Sequence, residues 1–329
     1  MSVTTAVPPR PDQLAAAQRQ RQQAIAGQAM SQTSGLWAFL AVAGWLSLRP
    51  RILSILRAAM AEAGRGAQPY VAAVAAGWSV DPDPLGTVNG STFAATASDG
   101  RDLGTLLDQP AREVEAFVSQ GMAAGQARAI GERHMLRIVQ TQVQDASRVS
   151  VGVAITNDRR MSGYIRHLTL PSCSRCIILS GRWYRYSSGF QRHPQCDCVM
   201  LPAAEPINPP SPREVYDSLS DEERRKAGWS GHDQRAIDDG ASLNQVTNYR
   251  RELKSVSVAG HSLQTTTVGT TRRGIAGKRL GANRKVAGER YRRTSTVRLT
   301  PESIYAEAER LGWSRDEVIR QLKRFGYIL

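Results

Sequence analysis

The 329-residue chain holds 41% hydrophobic residues at a mean hydropathy of −0.36. That is enough apolar material for a core in a soluble protein, and at this length it predicts two domains plus tails. A net charge of +14 and an isoelectric point near 10.2 point to a polyanionic partner, nucleic acid first, with a merely solvated basic surface as the alternative. No secretory signal is expected, because the segment around Pro8, Pro9, Arg10 and Pro11 lacks an apolar core.

Residues 1–34 are rich in Ala, Gln and Arg and read as an N-terminal extension that can form a helix but in which little can bury itself. A helical domain is expected over 35–150. Its first part places Trp37, Leu40, Trp45, Leu48, Ile52, Ile55 and Leu56 near 3.6-residue spacing. Pro50 should kink or interrupt that helix. The most apolar stretch, Gly35 to Leu48, falls short of the roughly 20 residues a bilayer span needs and reads as buried helix. Tyr70 to Trp78 continues as a short apolar helix, and Ser79 to Gly100, with Pro82, Pro84, Gly86, Asn89 and Gly90, as a loop. A second helical block opens at Pro110, suited to a first helical position, and breaks near Gly125 and Gly131.

From Val151 the texture changes, and a Cys/His domain with following helices is expected over 151–254. Tyr164 to Leu170 alternates like a strand. Ile207-Asn208-Pro209-Pro210 is a linker. Ser211-Pro212-Arg213-Glu214 then opens two or three short helices by cap chemistry. Residues 255–299 form a basic flexible segment, low in apolar content. Between 272 and 298, Arg272, Arg273, Lys278, Arg279, Arg284, Lys285, Arg290, Arg292, Arg293 and Arg298 stand against Glu289 alone, a candidate surface for sequence-indifferent contact with double-stranded DNA. Pairing with acidic partner proteins is the alternative. Residues 300–329 close the chain as a helical pair, capped at Thr300 and at Ser314-x-x-Glu317, stopped at Gly326 and anchored by Trp313. The expected fold is mainly α, with a small α+β Cys/His-containing central domain, a helical N-terminal domain and a basic, partly disordered C-terminal tail.

All four cysteines sit in one run: Cys173-Ser-Arg-Cys176, then Phe190-Gln-Arg-His193-Pro-Gln-Cys196-Asp-Cys198. Clustering of this kind favours a metal site over a chain-wide disulfide framework. CxxC puts two thiolates on one turn, and His193, Cys196 and Cys198 return a second group. Tetrahedral zinc wants four such ligands, so five residues compete for four places. If extended, Cys196 and Cys198 point to opposite faces, and Cys173, Cys176, His193 and one of the two remain. The competing interpretation is a hydrogen-bonded knot without metal. A Cys–His nucleophile pair is a third, to which the intervening proline lends nothing.

With Ile177-Ile178-Leu179 and Gly181-Arg182-Trp183-Tyr184 between its halves, this run resembles the central motif of the MuF-like minor head proteins of tailed phages. The similarity continues through Tyr216–Ser220, Ala236–Gly240, Leu243–Val246, Thr265–Gly274 and Leu299–Tyr305, covering about 160–329 well and the front half loosely. The resemblance implies a virion head component associated with portal, capsid or scaffold proteins and packaged DNA, present in the host cytoplasm during assembly. Trp37 and Trp45, read as core residues, would on that view be able to dock onto a portal or scaffold protein. Some relatives carry a capsid maturation protease label, which makes an enzyme the alternative. The sequence holds no GxSxG or HExxH, however, and its histidines (134, 167, 193, 232, 261) are scattered. A regulator using the C-terminal helices as a helix-turn-helix is a further alternative. His167 reads as a packed histidine, His232 as a loop residue, and Asp238 and Asp239 as a solvated helix end.

Overall fold

In a computed structural model, which describes residues 10–196, 198–258, 260–271, 273–281, 283–284, 292–293 and 296–329, the chain is mainly helical with small antiparallel sheets. It divides into two units, Met1–Thr169 with Ser180–Pro209, and Leu170–Leu179 with Pro210–Leu329.

The first described element is α1 (Pro11–Trp37), which corrects the expectation that little of residues 11–34 can bury itself; residues 1–9 of the expected extension lie outside the described residues. One stripe of α1 is buried: Ala15, Gln18, Gln22, Ala26, Ala29, Thr33 and Trp37. Alanines let neighbouring helices approach closely, and Gln18 and Gln22 donate from Nε2 to the Ser147 hydroxyl at 3.3 and 2.7 Å. The helix is part of the core, not an extension; its buried face lacks the large apolar residues that make periodicity visible. The chain continues through α2 (Leu40–Ala43), α3 (Trp45–Arg65) and α4 (Ala67–Gly77). Pro50 does not interrupt α3. It lies exposed in the second turn, and the carbonyl deprived of a partner belongs to Leu46, an exposed residue. The break comes earlier, at Gly44, whose φ of 72° suits glycine. The stretch read as buried helix is therefore an apex between two helices.

Helix α5 (Leu103–Ser119) starts seven residues before Pro110, capped by Asp102, whose carboxylate accepts the Thr105 N–H at 2.8 Å. Pro110 is buried inside it. Helix α6 (Ala124–Asn157) runs unbroken through Gly125 and Gly131 and past the expected boundary at 150/151. Gly131 is a packing residue: a Cβ there would lie 2.4 Å from Val114 Cγ2 and 3.0 Å from Trp37 Cζ2. Around that contact the core gathers Leu48, Ile52, Leu56, Met60, Leu103, Leu107, Met135, Val139 and Val143. Replacing Gly131 by leucine should therefore wedge α6 away from α1 and α5 and cost about 1–3 kcal/mol or more, read as a lower melting temperature. Gly125→Ala, with nothing within 4 Å, should stay within about 1 kcal/mol of wild type. Equal melting of the two variants would contradict the packing role.

Below α6 lies a sheet of β1 (Gly163–His167), β2 (Trp183–Arg185) and β3 (Val199–Ala203), ordered β2-β1-β3 and antiparallel throughout. Every residue of β3 is buried. Val71, Val74, Val151, Ala154 and Ile155 pack against Tyr164, Val199, Met200 and Leu201. Tyr70 donates to the Met200 carbonyl at 2.8 Å and Trp78 Nε1 to that of Pro202 at 2.9 Å, so α4 is fastened to the strand that carries the last cysteine at its entry.

The second unit holds α7 (Ser174–Leu179), then α8 (Pro212–Asp217), α9 (Asp221–Ala227), α10 (Gly231–Asp238) and α11 (Leu243–Asn248). Capping boxes at Ser211/Glu214, Ser220/Glu223 and Ser230/Asp233 set three of the starts, so the expected two or three helices are four. Trp229 is their buried centre, donating to Thr247 Oγ1 at 3.1 Å and packed edge-on to Tyr216 at 5.1 Å. His232, expected in a loop, is on α10 with its ring stacked on Tyr305 at 6.1 Å.

Part of the segment 255–299 read as flexible is built into this unit. A hairpin of β4 (Leu253–Val258) and β5 (His261–Thr266) is followed by α12 (Ile275–Arg279). A two-residue ribbon, β6 (Asn283–Arg284) and β7 (Arg292–Arg293), precedes β8 (Arg298–Leu299), which joins the edge of β5. Threonine replaces apolar material here. Thr265, Thr266 and Thr270 are buried, and their hydroxyls donate to the carbonyls of Lys254, Tyr249 and Thr267 at 3.2, 2.8 and 2.7 Å. Buried hydroxyls with partners carry little penalty, so low hydrophobicity did not signal exposure. Helices α13 (Pro301–Leu311) and α14 (Arg315–Arg324) close the chain, capped by Thr300 and Ser314, with Gly326 at φ 72° after the last turn. Trp313 between them is half-buried.

Candidate metal centre

The CxxC pair lies at the start of α7. The Cys173 carbonyl accepts the N–H of Cys176 at 2.9 Å and of Ile177 at 3.1 Å, so the two residues share one turn, as their spacing requires. The returning residues precede β3. The Cys196 N–H donates to the His193 carbonyl at 3.1 Å, and Gln195 takes a left-handed φ of 62°. This is a tight turn, and the Cys196 and Cys198 sulfurs lie within 4.8 Å of one another, so the two do not face opposite ways as they would in extended chain.

Two sets of donor atoms come together, each within 4.8 Å of one another: Cys173, Cys176 and His193, and Cys176, Cys196 and Cys198. All five sequence-selected residues are thus present, and Cys176 belongs to both sets. Cys176, Cys196 and Cys198 are buried, and Cys173 is half-buried. Thiolate sulfur with imidazole nitrogen is the donor chemistry of tetrahedral zinc. These Cys/His groups could hold a metal ion.

Positive charge surrounds the returning strand. The buried Arg148 donates from Nη2 to the Cys196 carbonyl, from Nε to the Cys198 carbonyl at 3.1 Å, and from Nη1 to Asp145 Oδ1 at 2.9 Å. Arg166 places Nη1 3.7 Å from the Cys196 sulfur and its guanidinium 3.9 Å above the Phe190 ring. Arg192 reaches Asp145 from its other side at 2.7 Å. Burial raises the Asp145 carboxyl above its usual range, while the two arginines pull it down. Asp145, Arg148 and Arg166 were not singled out by sequence; the only signal was an acid and a base three residues apart on one helix face.

The nucleic-acid candidates divide. Arg273, Lys278 and Arg279 are exposed, and Arg279 also donates to the carbonyls of Lys323 and Ile328. Arg272, Lys285 and Arg290 lie outside the described residues, as do the side chains of Arg284, Arg292 and Arg293. Arg298 must be withdrawn from the DNA-facing set. It is 1% exposed, donates to Gln245 Oε1 and the Val268 carbonyl at 3.2 Å each, and lies 3.8 Å over the Tyr327 ring. Its position in β8 turns it inward, and burial lowers its pKa. His167 is likewise held below its usual range, chiefly by burial. Asp239 is not a free helix end: it accepts the Tyr305 hydroxyl at 2.8 Å and pairs with Arg315 at 3.0 Å.

The sequence profile of the VG15 protein family matches residues 10–222. The chain belongs to the VG15 protein family. This is a phage protein family, and in this VG15 protein the matched span runs from α1 into α9 and includes all five Cys/His residues. No curated protein and no solved structure matches the chain. Among the described residues, no helix is long and apolar enough to cross a membrane.

Proposed function

We propose that this VG15 protein is a minor head protein of a tailed phage, associated with portal and capsid or scaffold proteins and with packaged double-stranded DNA. Membership of a phage protein family over residues 10–222 carries the reading. The resemblance of the Cys/His run to MuF-like head proteins supports it, and so does the net charge of +14, which suits a protein housed beside DNA. Its place is the capsid interior, reached from the host cytoplasm during assembly. The Cys/His group takes a structural role in this reading. A zinc ion held by four of Cys173, Cys176, His193, Cys196 and Cys198 fastens local structure that short elements cannot stabilise alone. His193 Nδ1 lies 2.7 Å from the Pro194 carbonyl; an N–H there leaves Nε2 as the ligand atom, the usual way a backbone carbonyl fixes a metal-binding histidine.

Gradient-purified virions and procapsids test the assignment. Mass spectrometry should find peptides of this chain at low copy beside portal and major capsid peptides. Particles that yield portal and capsid peptides but none from this chain would overturn it.

A further inference from the structure

One end of the helical bundle in the first unit is free of charge in two separate stretches of chain. Residues 22–48 contain no Asp, Glu, Lys, Arg or His, and neither do residues 116–127. The first stretch makes the α1–α2–α3 apex and the second the α5–α6 turn. Between them, with Val114 from the body of α5, opens a cavity of about 220 Å³ lined by Leu40, Gly44, Trp45, Val114 and Val118. Trp45 is a fixed wall, since its Nε1 donates to Asp108 at 2.8 Å and its ring packs edge-on against Trp37 at 6.2 Å. The chain neighbours of two lining residues, Leu46 after Trp45 and Phe39 before Leu40, are exposed apolar side chains, at 85% and 59%. Glu115 and Arg128 also line it, one charge of each sign.

A projecting apolar group and an apolar hole carried by adjacent residues of one apex supply the two halves that a self-complementary contact needs. A two-fold rotation brings each group to the other copy's hole. The same rotation can set Glu115 of one copy towards Arg128 of the other, so the rim matches in sign as well. An apolar cavity of roughly 150 Å³ already accepts a benzene-sized group, so this one has room for a leucine side chain. A lipid-inserting surface has a different character, with apolar residues above a predominantly basic rim, and has no use for a preformed hole. We propose that this end of the bundle is an isologous dimer interface, in which Leu46 of each copy enters the cavity between Trp45 and Val118 of the other. The inference stands apart from the head assignment: a chain that failed to enter virions would still pair.

Sedimentation equilibrium on the purified full-length chain reads the outcome. Wild type should show a concentration-dependent monomer–dimer equilibrium in the micromolar range, as suits a small interface. Leu46→Glu, which removes the projection, and Val118→Lys, which charges the rim of the hole, should each weaken self-association by about tenfold or more. Both positions are exposed, so melting should not change. An equimolar mixture of the two variants should recover pairing, because one leucine–cavity pair stays intact and the other sets the introduced charges, opposite in sign, against each other. A wild type that is monomeric at all concentrations would overturn the proposal, as would variants that associate like wild type. Wild type that stays monomeric but floats with anionic lipid vesicles would also overturn it, in favour of a lipid surface.

Discussion

Cys176→Ser should strip the protein of bound metal and lower its melting temperature by about 10 °C or more. The expectation follows from position. Cys176 is the one residue common to both donor sets, so an ion held through either set takes its sulfur. A structural zinc contributes on the order of 10 kcal/mol to small metal-dependent folds. Here, where helical cores carry much of the stability, losing a third of that suffices for the shift, at about 2–4 °C per kcal/mol for a chain segment of this size. Cys196→Ser and Cys198→Ser separate the possibilities. If the ion takes one of the two, one variant keeps its metal and the other does not. If it takes both, either His193→Ala or Cys173→Ser becomes the silent change. Metal content is measured on protein purified without chelator, and melting is followed with and without chelator. Wild type that carries no metal would leave only the hydrogen-bonded knot, and a Cys176→Ser variant that keeps a full complement would overturn the assignment of Cys176 as a ligand.

The metal-binding spacing was legible because CxxC is local: two residues three apart on one turn need no tertiary information. The helix starts at Ser211, Thr300 and Ser314 were legible for the same reason, since a side-chain cap and its N–H partner lie within one turn. What the sequence hid depended on partners far along the chain. The face of α1 is written in alanine and glutamine and becomes a core face only when Ser147 and α3 lie against it. Gly131 looks like a helix breaker until Val114 and Trp37 are placed beside it. The turn that leads into Cys196 runs through a left-handed Gln195, a conformation that no residue type at that position announces. Arg148 carries no motif, yet it holds the carbonyls of both cysteines.

Arg298→Ala should destabilise the second unit by about 2–4 kcal/mol and leave DNA binding per folded molecule unchanged. Its aliphatic stem is packed, its guanidinium lies over Tyr327, and its removal leaves a cavity beside the Gln245 side chain and the Val268 carbonyl that it now serves. Joint replacement of Arg273 and Lys278 by glutamine should do the reverse. Both are exposed, so melting should hold while DNA affinity falls. The slope of log affinity against log salt should drop by about 0.9 for each phosphate that the variant no longer neutralises. Removing residues 272–298 outright is a poorer test, because the deletion takes α12 with it. Ala276 is buried, a Cβ on Gly326 would meet its backbone nitrogen at 2.9 Å, and Arg279 is bonded to the carbonyls of Lys323 and Ile328. Loss of DNA binding in that deletion would follow from damage to the chain terminus alone. Salt-titrated binding to a duplex of arbitrary sequence, paired with thermal melting, distinguishes the cases. An unchanged salt slope for the Arg273/Lys278 variant would assign the charge of this segment to an acidic protein partner. A reduced slope for Arg298→Ala at unchanged melting would mean that Arg298 leaves its buried site to meet phosphate.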